Sequence, residues 1–394
     1  MLSRRTDWGL TPNRFTEAQR ELQRAGREVL DLTVSNPTRA QLHYDAETIL
    51  GSLTRHESMD YDPQPKGLLT AREAVVKYYR ERRPVHDHPG LDLDPESVVL
   101  TTSTSEGYSY VFRLLCNSDD EILVPKPSYP LFEFLADLQD VRLVPYPLIY
   151  DHGWQIDFPS LHKSVNPRTR AVVLVHPNNP TGSYVHASER DSLNEFCSEH
   201  DLSLVVDEVF LDYAHDGVAR PSYASNQGAL TFTLSGLSKI SGLPQMKLAW
   251  VVTSGPAEKV ASAMDRMEVI ADTYLSMNAP IQLAAPTLLA QRENIRPLLM
   301  DRVRKNLQEF DRQLATQKSC QRLDVEGGWY ALLRVQATQP DEDLAIEILQ
   351  ETSVLVHPGH FYDFPSDGYL VLSLITPPPD FQEGSRRVLE LLNR

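Results

Sequence analysis

Between about residues 95 and 255 the chain alternates short, nearly unbroken apolar runs with longer stretches whose apolar residues recur every three or four positions. Val98-Val99-Leu100, Glu121–Pro125 (EILVP), Ala171–His176 (AVVLVH), Leu202–Val206 (LSLVV), Ala229–Leu234 (ALTFTL) and Lys247–Val252 (KLAWVV) have the length and content of buried strands. Tyr108, Val111, Phe112 and Leu115 fall on one helical face, and a further helix is predicted near 187–200. Strands and helices in this alternation predict an α/β architecture with a mostly parallel sheet between helices. Upstream, Leu22, Ala25, Val29 and Leu30 mark an amphipathic helix behind a polar arm. An extended segment follows over Leu30–Pro37, and a helix over AREAVVKYYRERR. The alternation fades after about residue 285, where helices and a strand pair near Gly328–Val335 and Tyr369–Leu374 predict a smaller α+β domain.

Composition narrows the classes of function. A chain of 394 residues with 41% apolar and 23% charged residues can bury a large core, and its length suggests two domains. The net charge of −16 argues against nucleic acid or an anionic membrane as a partner, since both attract basic surfaces. Three cysteines without paired spacing argue against a disulfide framework, and the histidines show no zinc-type grouping, so no metal is expected. The N-terminal stretch lacks the apolar core of a signal peptide and no apolar run approaches membrane length, so a cytoplasmic location is expected.

Three features carry candidate chemistry. Lys239 lies in a loop of small and hydroxylated residues, LSGLSKISGLPQMKLAW, directly after an apolar run. A lysine there is either a solvated surface residue or a partly desolvated one, whose lowered pKa frees the amine to attack a carbonyl. Thr101–Gly107 (TTSTSEG) is a hydroxyl-rich turn before a helix, which serves either as a plain cap or as a phosphate cradle. Asp207 stands at the carboxyl end of a strand, where open α/β sheets bind ligands, with Glu208 as its structural neighbour.

The lysine loop, with Gly-Leu-Pro behind it and a cation eight residues on, resembles the cofactor-lysine segment of pyridoxal-phosphate aminotransferases of fold type I, class I/II. The resemblance extends over nearly the whole chain through Tyr61–Leu68 (YDPQPKGL), TTSTSEG, Lys126–Pro130 (KPSYP), Pro177–Gly182 (PNNPTG) and Asp207. It implies a large domain over 51–285 with a mostly parallel seven-stranded sheet, a small α+β domain over 286–394, and residues 1–50 as an arm and part of the small domain, with Leu30–Pro37 across the mouth of the active site. It implies pyridoxal 5'-phosphate held covalently by Lys239, its pyridine nitrogen kept protonated by Asp207, its ring stacked on Tyr129 and its ring oxygen bonded by Asn179. The phosphate would be held by Thr104, Ser105, Ser238, Lys247 and, from the neighbouring subunit of a homodimer with shared sites, Tyr61. The implied activity is transfer of an amino group between an amino acid or related amine and a 2-oxo acid, by a ping-pong mechanism. A lyase or eliminase on the same scaffold, or a non-catalytic relative, are the alternatives. No DNA-binding domain is expected before the arm at residue 1.

Three positions depart from the pattern of that family. Phe210 stands where a tyrosine hydroxyl would bond the ring oxygen. Lys247 replaces an arginine, and Gly236 a serine, in the phosphate cup. Val371 occupies the position of the arginine that clamps the α-carboxylate. Either another cation such as Arg334 serves, or the substrate carries no α-carboxylate in the usual place. Arg386 and Arg387 belong to a C-terminal helix and read as surface residues.

Overall fold

A computed structural model describes residues 2–82, 90–130, 132–275 and 277–394. Its strands are β1 (Leu30–Asp31), β2 (Val98–Thr101), β3 (Glu121–Lys126), β4 (Arg142–Tyr150), β5 (Trp154–Ile156), β6 (Thr169–Val175), β7 (Ser203–Asp207), β8 (Thr231–Gly236), β9 (Ala249–Ser254), β10 (Cys320–Arg322), β11 (Tyr330–Val335), β12 (Val354–Leu355), β13 (His357–Pro358) and β14 (Tyr369–Ser373).

The apolar runs between 98 and 254 form one sheet, ordered β2-β9-β8-β7-β6-β3-β4-β5. The pairs from β8 to β4 are parallel, while β9 runs antiparallel to both its neighbours. The seven strands expected are joined by an eighth, β5, whose three residues pair antiparallel with β4 at the edge. The central strands read as nearly continuous apolar runs because both faces are covered. Alternate residues go to opposite sides. Ala171, Val173, Val205 and Phe232 meet Tyr108 and Phe112 of the Thr104–Leu115 helix and Met267 of the Ala257–Thr273 helix, while Val172, Leu174, Leu204 and Val206 meet Leu193 and Phe196 of the Ala187–His200 helix. At the other edge, Trp250 and Leu100 pack on the Leu69–Glu81 and Ala279–Ala290 helices.

The C-terminal part holds a second, antiparallel sheet ordered β10-β11-β14-β13, covered by the long Arg292–Leu314 and the C-terminal Pro378–Leu392 helices. One apolar cluster runs without interruption from Phe15 and Leu32 of the arm through Val172 and Val206 to Trp329, Leu370 and Val388. The helix of the arm is shorter than its pattern suggested. It spans Arg14–Arg24 and buries Phe15, Ala18 and Leu22. The chain then turns through Gly26 at φ 66°, a left-handed conformation that suits glycine and stops the helix before Val29 and Leu30 can join its face.

Leu30 enters β1 instead, which pairs in parallel with β12. Backbone and side chains of β14 hold the segment that follows: Ser373 N–H donates to the Leu32 carbonyl at 2.7 Å, and the Ser373 hydroxyl to the Val34 carbonyl at 2.5 Å. Ser373 is fully buried, so its loss leaves a carbonyl without its side-chain donor. Ser373→Ala is expected to lower stability by about 1–2 kcal/mol, read from the urea midpoint, and to speed proteolysis within residues 31–37.

Candidate active site

The last residues of three neighbouring strands, Val175 of β6, Asp207 of β7 and Gly236 of β8, line a cavity of about 660 Å³. This is the crevice beyond the carboxyl ends of an open α/β sheet, the place such sheets offer to ligands. Its remaining walls come from the start of the Thr104–Leu115 helix, the loop holding Tyr129, the arm and the C-terminal sheet.

Lys239 projects from a short helical turn, Leu237–Ile240, immediately after β8. Two hydroxyls fix that turn: Tyr213 donates to the Lys239 carbonyl at 2.6 Å and Tyr44 to the Gly242 carbonyl at 2.8 Å. The Lys239 Nζ donates to the Ser35 carbonyl of the arm at 3.2 Å. It lies 4.8 Å from the Trp329 ring centre and 5.4 Å from that of Phe210. These rings displace water from the amine, and the loss of hydration pushes its pKa down to about 8 even though the charge of Asp207 opposes the shift. Phe210, one of the departures noted in the sequence, therefore supplies apolar surface beside the amine.

Asp207 accepts the Val209 N–H at 3.0 Å and the Tyr108 hydroxyl at 3.3 Å. Burial pushes its pKa up to about 6, and both hydrogen bonds together with Lys239 pull the other way without overcoming it. Glu208 points behind the cavity, where it accepts the Ser222 hydroxyl and the Tyr223 N–H, each at 2.6 Å.

The PNNPTG loop divides its two asparagines between structure and cavity. Asn178 binds the Ser128 hydroxyl at 3.0 Å, the Pro127 carbonyl at 3.0 Å and the Thr181 hydroxyl at 2.9 Å, which locks this loop to the one bearing Tyr129. Asn179 faces the cavity, and its Oδ1 is buried without a partner. At the helix start, the Ser103 hydroxyl caps Glu106 N–H at 3.2 Å and the ladder begins with Gly107 N–H to the Ser103 carbonyl. The Thr104 and Ser105 N–H groups precede that ladder, at the positive end of the helix dipole.

The structure thus gathers Thr104, Ser105, Tyr129, Asn179, Asp207, Ser238 and Lys239 around one cavity. It leaves two expected residues outside. Tyr61 sits in a loop and is 79% exposed within the single chain. Lys247 is exposed and ends the Pro244–Met246 turn at φ 52°, so β9 starts at Ala249 rather than at Lys247 and the lysine is carried away from the lining. Gly236 has a steric reason: a Cβ there would meet the Ala249 Cβ at 2.8 Å and the Leu248 carbonyl oxygen at 3.0 Å, so a serine would force β8 and β9 apart. Arg334 does not serve the cavity either. It is exposed at the opposite end of β11 from Tyr330, bonded to Gln321 Oε1 at 2.9 Å.

Several lining residues were not singled out from the sequence, among them Asn13, Tyr108, Tyr330, His357 and Tyr362. Tyr108 was read only as a position on an apolar helical face, and periodicity does not reveal where its hydroxyl goes. His357 and Tyr362 lie in an irregular stretch around a two-residue strand that carries no pattern at all.

Comparison with known proteins adds an independent line. Residues 27–376 match the model of the family described as aminotransferase class I and II. The glutamate-pyruvate aminotransferase of Escherichia coli is 27% identical over 91% of this chain and 89% of its own length. The alanine aminotransferase of Mycobacterium tuberculosis is 28% identical over 91% of this chain and 83% of its own. Among solved structures, the alanine aminotransferase from Pyrococcus furiosus superposes with a TM-score of 0.87 at 20% identity, covering 100% of this chain and 99% of that one. At that identity the likeness speaks for the fold.

Two predictions follow from the electrostatics of the cavity. In the cofactor-free protein, acylation of Lys239, followed by mass spectrometry, should rise with a midpoint near pH 8 rather than near the ordinary 10.5, because the amine is reactive only when neutral. Asp207→Asn removes the attraction that holds the proton on Lys239, so the midpoint should fall further. Gly236→Ser is expected to destabilise the protein by about 1–3 kcal/mol in a denaturant titration, the usual range for overpacking.

Proposed function

The chain belongs to the class I and II aminotransferases and is a transaminase, and on that premise we propose that the cavity binds pyridoxal 5'-phosphate with Lys239 as its covalent anchor and proton carrier. The observation that carries this reading is the convergence on one cavity of a desolvated lysine, a strand-end carboxylate and the side chain of Asn179. The donor set suits the whole cofactor. Thr104 and Ser105 offer backbone N–H groups and hydroxyls at a helix start, and Ser238 adds a hydroxyl, for the phosphate. Tyr129 offers a ring face, Asn179 an amide N–H for the ring oxygen and Asp207 a carboxylate for the ring nitrogen.

When bound, the cofactor supplies an electron sink for the carbon that carries the amine. The residues do the rest. Asp207 would hold a proton on the ring nitrogen, and a positive charge beside the carboxylate would offset the burial that otherwise raises the Asp207 pKa. Tyr108 and the Val209 N–H keep the carboxylate oriented. Lys239 would be a base of suitable strength, because burial lowers its pKa to about 8, so that an appreciable fraction of Nζ is neutral near pH 7 to 8 where an ordinary lysine is almost wholly charged. It moves the proton off the substrate carbon and returns it at the other end of the exchange. Phe210 and Trp329 keep bulk water from competing for that proton.

We also propose a homodimer in which Tyr61 reaches the phosphate of the neighbouring site. Its exposure on a loop ahead of the Leu69–Glu81 helix supports this role. Lys247, exposed in this chain, would have to turn inward to join the phosphate, and we assign it only a contribution to the surrounding positive field. No described helix is long and apolar enough to cross a membrane, and three cysteines without disulfides support a cytoplasmic setting.

Lys239→Ala is expected to keep the far-ultraviolet circular dichroism of the parent, lose the lysine-dependent visible absorption of the loaded protein, and lower transamination on the order of 10³-fold or more. Unchanged absorption in this variant would overturn the assignment of the anchor.

A further inference from the structure

The wall of the cavity formed by the C-terminal sheet carries hydrogen-bonding groups but no fixed charge. In β11, β13 and β14, Tyr330 pairs with Ser373, and Val371 lies between Leu332 and His357. Directly opposed residues on antiparallel strands share a face. Tyr330 and His357 line the cavity, and Ser373 reaches the arm one residue before Ser35, which also lines it. Val371 thus belongs to the cavity-facing side of the sheet, yet it is 1% exposed. Lys239 is the one lysine or arginine among the described lining residues, and the proposed chemistry occupies it.

His357 is the strongest polar feature of that wall. Its Nδ1 lies 2.9 Å from the Tyr362 hydroxyl, and both residues line the cavity. Burial pushes the imidazole pKa down to about 4 although the charge of Asp31 opposes this, so the ring is neutral at working pH. In the tautomer in which Tyr362 donates to Nδ1, the ring proton resides on Nε2, a single uncharged donor. A carboxylate placed against such a wall would lose its hydration without gaining a cation, whereas an amide or alcohol loses far less.

We propose that His357, oriented by Tyr362, receives an uncharged polar group of the substrate, so that the preferred amino donor is a primary amine bearing a carboxamide or alcohol where an α-amino acid bears its carboxylate. This rests on the transaminase reading of the cavity. The net exchange balances: R–CH(NH₂)–CONH₂ and a 2-oxo acid R′–CO–COOH give R–CO–CONH₂ and R′–CH(NH₂)–COOH. The 2-oxo acid carries the same penalty as an amino acid and should show a high KM.

The test is single-turnover conversion of the loaded enzyme with alanine, alaninamide, 2-aminopropan-1-ol and isopropylamine, followed by the visible absorption. Calorimetry with unreactive propanamide and propanoate runs alongside. Alaninamide is expected to react at least about tenfold more efficiently than alanine, and propanamide to bind more tightly than propanoate. His357→Phe should reduce the efficiency of alaninamide by about tenfold while leaving isopropylamine, which has no group for His357, within about threefold. Tyr362→Phe, which keeps the ring and removes only the hydroxyl, should shift the preference in the same direction should His357→Phe not fold. Alanine reacting as well as or better than alaninamide, or equal losses for alaninamide and isopropylamine in both variants, would overturn the proposal. Absence of conversion by any donor, with no lysine-dependent absorption, would instead overturn the cofactor reading on which it rests.

Discussion

Keeping Lys239 and Asp207 out of bulk water is the constraint on which the rest of this structure depends. Each resists burial in its charged form, and the shifts of both toward neutrality mean that loss of hydration outweighs their attraction for each other. Such an arrangement persists only where the surroundings are rigid. The parallel pairing of β7 with β8 sets the two strand ends side by side, Asp207 opposite Leu234, and helices on both faces hold that pairing in place. Tyr213 and Tyr44 then tie the lysine turn to the body of the protein through main-chain carbonyls, which fixes the loop without consuming the amine.

The division of labour in the PNNPTG loop follows the same logic. Asn178 is saturated by Ser128, Pro127 and Thr181, so that two loops from different strand ends behave as one rigid piece. With its neighbour tied down in this way, Asn179 is held in the wall of the cavity. The C-terminal sheet and the arm close the remaining sides, and the continuous apolar cluster beneath them couples their positions to that of the large sheet.

Much of this was legible in the sequence, for identifiable reasons. β6, β7 and β8 are unbroken apolar runs because both of their faces are buried, and residues immediately after such runs, such as Asp207, Asn179 and Lys239, can be placed by counting. Elements too short for a period to develop could not be read: β5 has three residues and β13 two, and His357 comes with the latter. Lys247 was assigned to the site by its offset from Lys239, but offset does not encode the left-handed turn that carries it outward. The missing arginine was visible as Val371. What stands in its neighbourhood was not, because the His357–Tyr362 contact is a property of how the irregular stretch folds back.

The acceptor for the lysine nitrogen is the main-chain carbonyl of Ser35, not a side chain. A carbonyl is the same group whatever residue bears it, so the identity of residue 35 is free to drift while the contact survives. What cannot drift is spacing. The arm is anchored at Leu32 and Val34 by Ser373, and one residue gained or lost in this extended segment would displace the acceptor by about 3.3 Å, more than the length of the bond it makes. Among descendants of this sequence, then, length rather than composition should be the invariant of the segment joining β1 to the cavity.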